Sequence, residues 1–175
     1  AQQFLRLLDR QPSLGKLVPA AAAQVSRTRA VTCTTTRYEL FERIGGGATA
    51  TVHRAIEHGD DGSQRSVALK RLLPHLGEDQ DFVRSFTREV QLAARLDHPN
   101  IVKTFEHGLT TEDEQYLIME YLEGVSLSFL VDTQNERMRL NCLNYCIQLG
   151  EGLDYLHRNE WIHRDLCPRN AIVTD

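Results

Sequence analysis

Three consecutive glycines, Gly45-Gly46-Gly47, stand between two runs rich in strand-forming residues, Tyr38 to Ile44 and Thr51 to Ile56. That placement restricts the fold more than any other feature of the chain. Glycines that follow a strand and open a helix hold phosphate at the helix N-terminus. Glycines joining two antiparallel strands make a flap instead, whose backbone N–H groups can close over phosphates because no Cβ obstructs the approach. A glycine-rich hairpin is by itself an ordinary turn, so its meaning depends on the residues downstream.

Downstream, strands and a helix alternate at regular spacing. Ser66 to Leu72 reads as a third strand, after the turn cluster His58-Gly-Asp-Asp-Gly62 and before the break at Pro74. Glu78, Asp79 and Asp81 then open a helix, with carboxylates where the positive helix end favours them. Its apolar positions Phe82, Phe86, Val90, Ala93 and Leu96 keep helical spacing, and it must stop near Asp97-His98, ahead of Pro99. Two more strands, Ile101 to His107 and Gln115 to Glu120, complete a set of five around one helix. After Gly124 a long amphipathic helix is expected from Leu140, Leu143, Ile147, Gly150, Leu153 and Leu156, ending before Trp161.

Within this frame three sets of residues carry chemistry. Val67-Ala-Leu-Lys70 puts a lysine inside an apolar strand, where burying an ammonium is expensive unless something negative meets it. Glu89 lies nineteen residues on, beside Val90 and Ala93 on the apolar side of the helix, so its carboxylate can point inward to meet that lysine. The third set is His163-Arg164-Asp165-Leu-Cys-Pro-Arg169-Asn170, with a carboxylate and a carboxamide five apart around a turn set by Pro168. That spacing lets Asp165 take a proton from an incoming hydroxyl while Asn170 offers an oxygen to a hard cation such as Mg²⁺.

Composition narrows the class. Of the 175 residues, 41% are hydrophobic and 25% charged, close to ordinary globular proteins, and the net charge of −4 gives no general reason to expect a nucleic-acid partner. No run approaches the 18 or so apolar residues needed to cross a bilayer. Charge is uneven. Residues 1–37 carry six basic side chains against Asp9 alone, and the remainder 14 basic against 23 acidic. The first 37 residues therefore read as a flexible basic extension, in which Phe4, Leu5, Leu7 and Leu8 suit a short amphipathic helical turn. Cys33, Cys142, Cys146 and Cys167 show no disulfide framework; they suit small buried hydrophobes in a reducing, cytoplasmic setting.

The glycine flap, the strand lysine, the helix glutamate and the catalytic-loop string occur in the order of the eukaryotic-type protein kinase superfamily, which the chain resembles from Tyr38 to its end. His98-Pro-Asn-Ile-Val102 and Tyr116-Leu-Ile-Met-Glu-Tyr-Leu-Glu-Gly124 resemble it too. The wording around Leu72-Leu-Pro-His-Leu76 and Ala93-Ala-Arg-Leu-Asp-His-Pro99 is most like bacterial serine/threonine kinases. The resemblance implies an α+β kinase-like fold. A five-stranded antiparallel N-lobe with one regulatory helix would span 38–122, and the start of a mainly helical C-lobe 123–175. It also implies residue roles. The backbone of Ile44, Gly45, Gly46, Gly47, Ala48, Thr49, Ala50, Thr51 and Val52 would cover the ATP phosphates. Lys70 would hold the α- and β-phosphates, positioned by Glu89. Val52, Ala68 and Ile172 would sandwich adenine with Met119 behind, main-chain groups of Glu120 and Leu122 would bond the base, and Ser126 would approach the ribose. Asp165 would be the base and Asn170 the Mg²⁺ ligand, acting on serine or threonine hydroxyls of protein substrates.

Three departures from the family pattern are visible. Ala50 stands where a third glycine is usual, a mild change if that position keeps an ordinary strand conformation. Cys167 replaces the lysine usual in serine/threonine kinases, and Arg169 resembles the tyrosine-kinase arrangement, supplying positive charge from another position. Finally, the family's Asp-Phe-Gly should come about a dozen residues after Asn170, and Asp175 comes five after it. The chain is therefore expected to be a C-terminally truncated piece, inactive alone. Its long helix and last strand would lack partners for their apolar faces, and any membrane anchor would lie beyond Asp175. The alternative readings are a pseudokinase or nucleotide-binding scaffold and, less well matched, a small-molecule kinase. His58-Gly-Asp60 recurs in the latter's catalytic triplet, but here it sits in a plain hairpin turn.

Overall fold

The computed structural model describes residues 5–8, 30–32, 37–77, 79–110 and 114–174, with Ala30, Val31, Thr32, Arg37 and Glu89 among them as backbone only. In chain order the elements are β1 (Leu5–Leu8), β2 (Ala30–Thr32), β3 (Arg37–Gly46), β4 (Ala50–His58), β5 (Gln64–Leu72), α1 (Pro74–Gly77) and α2 (Gln80–Ala93). There follow β6 (Thr104–Leu109), β7 (Gln115–Glu120), β8 (Gly124–Ser126), α3 (Leu127–Asp132), α4 (Glu136–Arg158), a 3₁₀ turn (Pro168–Asn170) and β9 (Ala171–Thr174). They form two compact units, the first built from residues 22–95 and 103–121, the second from 2–21, 96–102 and 122–175.

The first unit is an antiparallel sheet in the order β2-β3-β4-β5-β7-β6. The five expected strands are all present, and the short β2, from the segment expected as a flexible extension, joins the β3 edge as a sixth. Alternation along β5 decides the two faces. Val67 and Leu69 pack with Tyr38, Leu40, Ala55, Tyr116 and Ile118 on one side. Leu72 and Leu117 turn to the other, where they meet Phe86 and Val90 of α2. Helix α2 starts where a capping side chain is available: the Asp79 carboxylate accepts from the N–H groups of Asp81 (3.0 Å) and Phe82 (3.1 Å). Pro74 does not merely break β5; it opens the single turn α1, at the helical position where a missing N–H is harmless.

The second unit departs further from expectation. Leu5–Leu8 is a strand, not a helical turn, and runs parallel to β9 while β8 pairs with the other edge of β9 antiparallel. The reason is periodicity: Leu5 and Leu7, two apart, both reach the same core, which helical spacing would forbid. That core includes Ile101, Val125, Leu130, Tyr145, Leu156, Ala171 and Val173. The last strand thus does find partners, contrary to the sequence expectation.

Helix α4 has the length expected, with Asn135 as its N-cap (Arg137 N–H to Oδ1, 2.9 Å) and His157 and Arg158 in the last turn. Its orientation is the surprise. It buries Arg137, Asn141, Tyr145, Gln148, Gly152 and Leu156, and leaves Leu140, Leu143 and Ile147 at 53%, 73% and 52% exposure. Of the apolar stripe expected to lack a partner, Leu140, Leu143 and Ile147 are uncovered among the described residues, whereas Leu156 is buried in the core and Leu153 packs against it. Cys142 and Cys146 lie on this open side, so they are exposed rather than buried, because the core takes the polar face of the helix. Cys33 lies outside the described residues.

No helix among the described residues is long and apolar enough to cross a membrane. Two outcomes are expected from the packing. A Cβ on Gly124 would overlap the Val173 carbonyl oxygen of β9. Gly124→Ala should therefore cost about 1–3 kcal/mol in thermal unfolding, the range for overpacking. On β4, burial is the main force holding the His53 imidazole below its ordinary value of 6.5, opposed by the hydrogen bond to the Phe41 carbonyl and reinforced by repulsion from Arg71 and Arg43. The unfolded chain takes up that proton first, so stability is full above the ordinary value and falls as pH drops through the lowered one. His53→Gln should flatten that stretch of a pH–stability curve.

Candidate active site

The glycine turn is built by hairpin pairing. Gly45 faces Val52 and Gly46 faces Thr51, and the Gly47 N–H donates to the Ala50 carbonyl at 3.0 Å, leaving Ala48 and Thr49 at the tip. Glycine is required at Gly46, whose φ is +155° and whose absent Cβ would strike the Arg43 guanidinium and come within 3.0 Å of the Ala50 oxygen. Arg43 lies along the turn, its Nε donating to the Gly45 carbonyl at 3.0 Å, a restraint the sequence did not suggest. Ala50 is an ordinary strand residue opposite Leu72, so its methyl is accommodated. Thr49 is tied down from β5's end, its carbonyl accepting from Leu73 N–H at 3.0 Å.

Lys70 sits at 4% exposure in the middle of the sheet, opposite Val52 on β4 and Leu117 on β7. Ala68 pairs with Met119 two residues away on the same strands. Val52, Ala68, Lys70 and Met119 therefore share one face, the face that also carries Leu72 and Leu117. Four of the residues singled out from sequence are thus brought together. Glu89 lies on α2 one residue before buried Val90; its side chain, and with it the expected ion pair, lies outside the described residues. The Glu120 N–H is engaged by the Lys103 carbonyl at 2.9 Å.

The second unit supplies the other chemistry. His163 is buried, and Arg164, next to it, has φ = +62°, the left-handed region that a non-glycine residue enters at a cost of about 1–3 kcal/mol. Across Arg164 the Asp165 N–H donates to the His163 carbonyl at 2.9 Å, so the strain is held in a tight γ-turn that throws Asp165 outward. His163 Nδ1 lies 3.3 Å from the same N–H. The Pro168–Asn170 turn then returns buried Asn170 to Asp165: its Nδ2 donates to the Asp165 carbonyl at 2.8 Å and to carboxylate Oδ2 at 3.1 Å. With both amide hydrogens directed at Asp165, Oδ1 is turned away from it, as a hard-cation ligand requires. Among the described residues no group of three or more His, Cys, Asp or Glu could hold a metal. A single carboxamide oxygen fits Mg²⁺, which takes its remaining ligands from phosphate and water.

Of the other positions selected from sequence, Arg169 is exposed, and Cys167 is half-buried at the start of the 3₁₀ turn, its carbonyl accepting from Asn170 N–H at 2.9 Å. Ile172 lies on β9, and Leu122 in the irregular segment after β7. Ser126 caps α3, its hydroxyl accepting from Phe129 N–H at 3.2 Å.

An antiparallel sheet carrying a glycine flap and a buried lysine, and a loop that joins Asp165 to Asn170, are the features of the protein kinase fold. The comparisons with known proteins agree. Residues 38–175 match the family described as protein tyrosine and serine/threonine kinase, and the chain belongs to that family. The serine/threonine-protein kinase PrkC of Bacillus subtilis is 36% identical over 137 residues, 78% of this chain and 20% of PrkC. The tyrosine-protein kinase MasK of Myxococcus xanthus is 36% identical over 149 residues, 78% of this chain and 23% of MasK. The crystal structure of the Mycobacterium tuberculosis PknI kinase domain superposes with a TM-score of 0.65 at 27% identity, over 83% of this chain and 57% of that one. The chain therefore spans about a fifth of the length of the curated relatives it matches.

Asn170→Ala removes both donors to Asp165 and should lower stability by about 1–2 kcal/mol, read as a fall in the urea midpoint.

Proposed function

We propose that this chain is the nucleotide-binding and catalytic-loop part of a protein kinase that transfers the γ-phosphoryl group of ATP to serine or threonine hydroxyls of protein substrates. In this reading residues 38–122 form the nucleotide-binding lobe and 123–175 the entrance to the catalytic lobe, working in the cytoplasm. The observation that carries it is the pair of hydrogen bonds from Asn170 to Asp165, which orients a carboxylate and a carboxamide oxygen for two different tasks.

The Asp165 carboxylate accepts the proton of the substrate hydroxyl as its oxygen bonds to the γ-phosphorus and the bond from phosphorus to the bridging oxygen breaks, releasing ADP. Mg²⁺, held by Asn170 Oδ1, would neutralise charge on the phosphate oxygens. Lys70 meets the α- and β-phosphates. Its ammonium is already largely desolvated, so little solvent reorganisation remains when the phosphates arrive. Backbone N–H groups of the Gly45 to Val52 hairpin cover the phosphates, while Val52, Ala68 and Met119 contact adenine. Because the reaction is mostly positioning and charge neutralisation, no one of these groups can be spared.

A second reading concerns the hydroxyl. Exposed Arg169, with Cys167 where a lysine is usual, favours a tyrosine-type arrangement, and MasK is named a tyrosine kinase.

Phosphate transfer from labelled ATP by the full-length protein, followed by phosphoamino-acid analysis, tests both. Asp165→Ala should reduce transfer by about 10³-fold or more while ATP binding persists, and Lys70→Met should weaken both. Near-normal turnover in Asp165→Ala overturns the assignment. Phosphotyrosine alone selects the second reading, and ATP binding without transfer by the unmutated protein identifies a scaffold.

A further inference from the structure

The slot that holds Leu5–Leu8 recognises a strand by its backbone on both edges. On one side β1 pairs in parallel with β9, Leu5 beside Ala171 through Leu8 beside Thr174. On the other side two buried residues, one of them using its main chain as well, do the work of a missing strand. Gln148 of α4, 2% exposed, accepts from the Leu8 N–H through Oε1 at 2.8 Å and donates to the Leu8 carbonyl through Nε2 at 3.0 Å. Asn100, 3% exposed, holds Arg6 with main chain and side chain together: its backbone carbonyl accepts from the Arg6 N–H and its side-chain Nδ2 donates to the Arg6 carbonyl, both at 3.0 Å. Asn100 Nδ2 also donates to Gln148 Oε1 at 2.9 Å, so the two amides brace one another.

Alternate residues serve alternate purposes. Arg6 and Leu8 present their peptide groups to Asn100 and Gln148, while the side chains of Leu5 and Leu7 enter the core and are fully buried. Buried carboxamides are costly when left unpaired, so Asn100 and Gln148 need an occupant. This need explains why α4 turns a polar face inward at Gln148.

We propose that Leu5–Leu8 is a detachable strap: it fills a strand-binding slot with a leucine–arginine–leucine pattern, and its seating holds the backbone that leads out of the catalytic loop. The link is direct, because Ala171, the partner of Leu5, follows Asn170 in the chain, and Asn170 holds Asp165. With the strap seated, β9 is paired on both edges; with it released, β9 becomes an edge strand and the slot's amides open to another extended segment. The proposal concerns the second unit alone and does not depend on the phosphotransfer reading.

Hydrogen exchange on the whole 175-residue chain tests it. In the double variant Leu5→Ser, Leu7→Ser the β9 amides should exchange about tenfold faster or more, while the Val67–Lys70 amides of β5 keep their protection. Arg6→Pro, which deletes the N–H given to Asn100 but keeps both leucines, should do the same. A fluorescein-labelled peptide of residues 1–10 should bind the double variant about tenfold or more tighter than the unaltered chain, whose own strap competes at high effective concentration. A scrambled peptide should bind neither. Unchanged β9 exchange in both variants overturns the proposal. So does equal acceleration of β5 and β9 in both variants, which would make the strand an inseparable part of the fold, and so does failure of the peptide to discriminate.

Discussion

An ammonium group at the centre of an apolar sheet is the constraint on which much of the first unit depends. Lys70 is only 4% exposed, in a strand whose neighbours are valine, alanine and leucine. Holding a charge there depends on register. A slip of one residue along β5 would send Lys70 to the side occupied by Tyr38, Val67 and Tyr116, and Leu69 to the helix side. The unbroken β4–β5 pairing from Ala50–Leu72 to His58–Gln64 and the five β5–β7 pairs prevent that slip. The same register sets Val52, Ala68 and Met119 beside the lysine, so a single alignment of three strands assembles this part of the proposed nucleotide site.

The loop from His163 to Asn170 is held by a different balance. Strain at Arg164 and burial of His163 and Asn170 are local costs, and the bonds that offset them are short-range: Asp165 to His163, Asn170 to Asp165 and Asn170 to Cys167. Such a loop needs a firm base at each end. At its C-terminal end the base is β9, and β9 is firm because strands lie along both of its edges. Order at Asp165 and the seating of a strand from the other end of the chain are therefore parts of one mechanical arrangement within the second unit.

Much of this is legible in the sequence. The five strands, the capped helix α2, the extent of α4 and the positions of the glycine turn, Lys70 and the Asp165–Asn170 pair all follow from local rules of alternation, capping and turn chemistry. The departures have a common cause. The four apolar residues among Phe4 to Leu8 suit a helical period as well as a strand, and only a slot with β9 on one side and Asn100 and Gln148 on the other selects the strand. The apolar stripe of α4 is evident from residue type, but apolarity gives no reason to place its polar face, with Gln148, in the core. The signal there is indirect: Gln148 and Asn141 fall at helical spacing beside Tyr145 and Gly152, a stripe that apolarity-based reasoning passes over.

By itself the sequence determined the chemistry and its order along the chain, since glycine at a turn, lysine in an apolar strand, and aspartate and asparagine around a proline are constraints carried by residue type and short spacing. Tertiary structure alone decided which faces are buried, that β2 and β1 extend the two sheets, and that Asn100 and Gln148 take the place of a strand. The physical reason is range. Capping, alternation and turns act within a few residues, whereas seating Leu5–Leu8 depends on Ala171–Thr174 at the far end of the sequence and on Asn100 and Gln148, all distant in the chain.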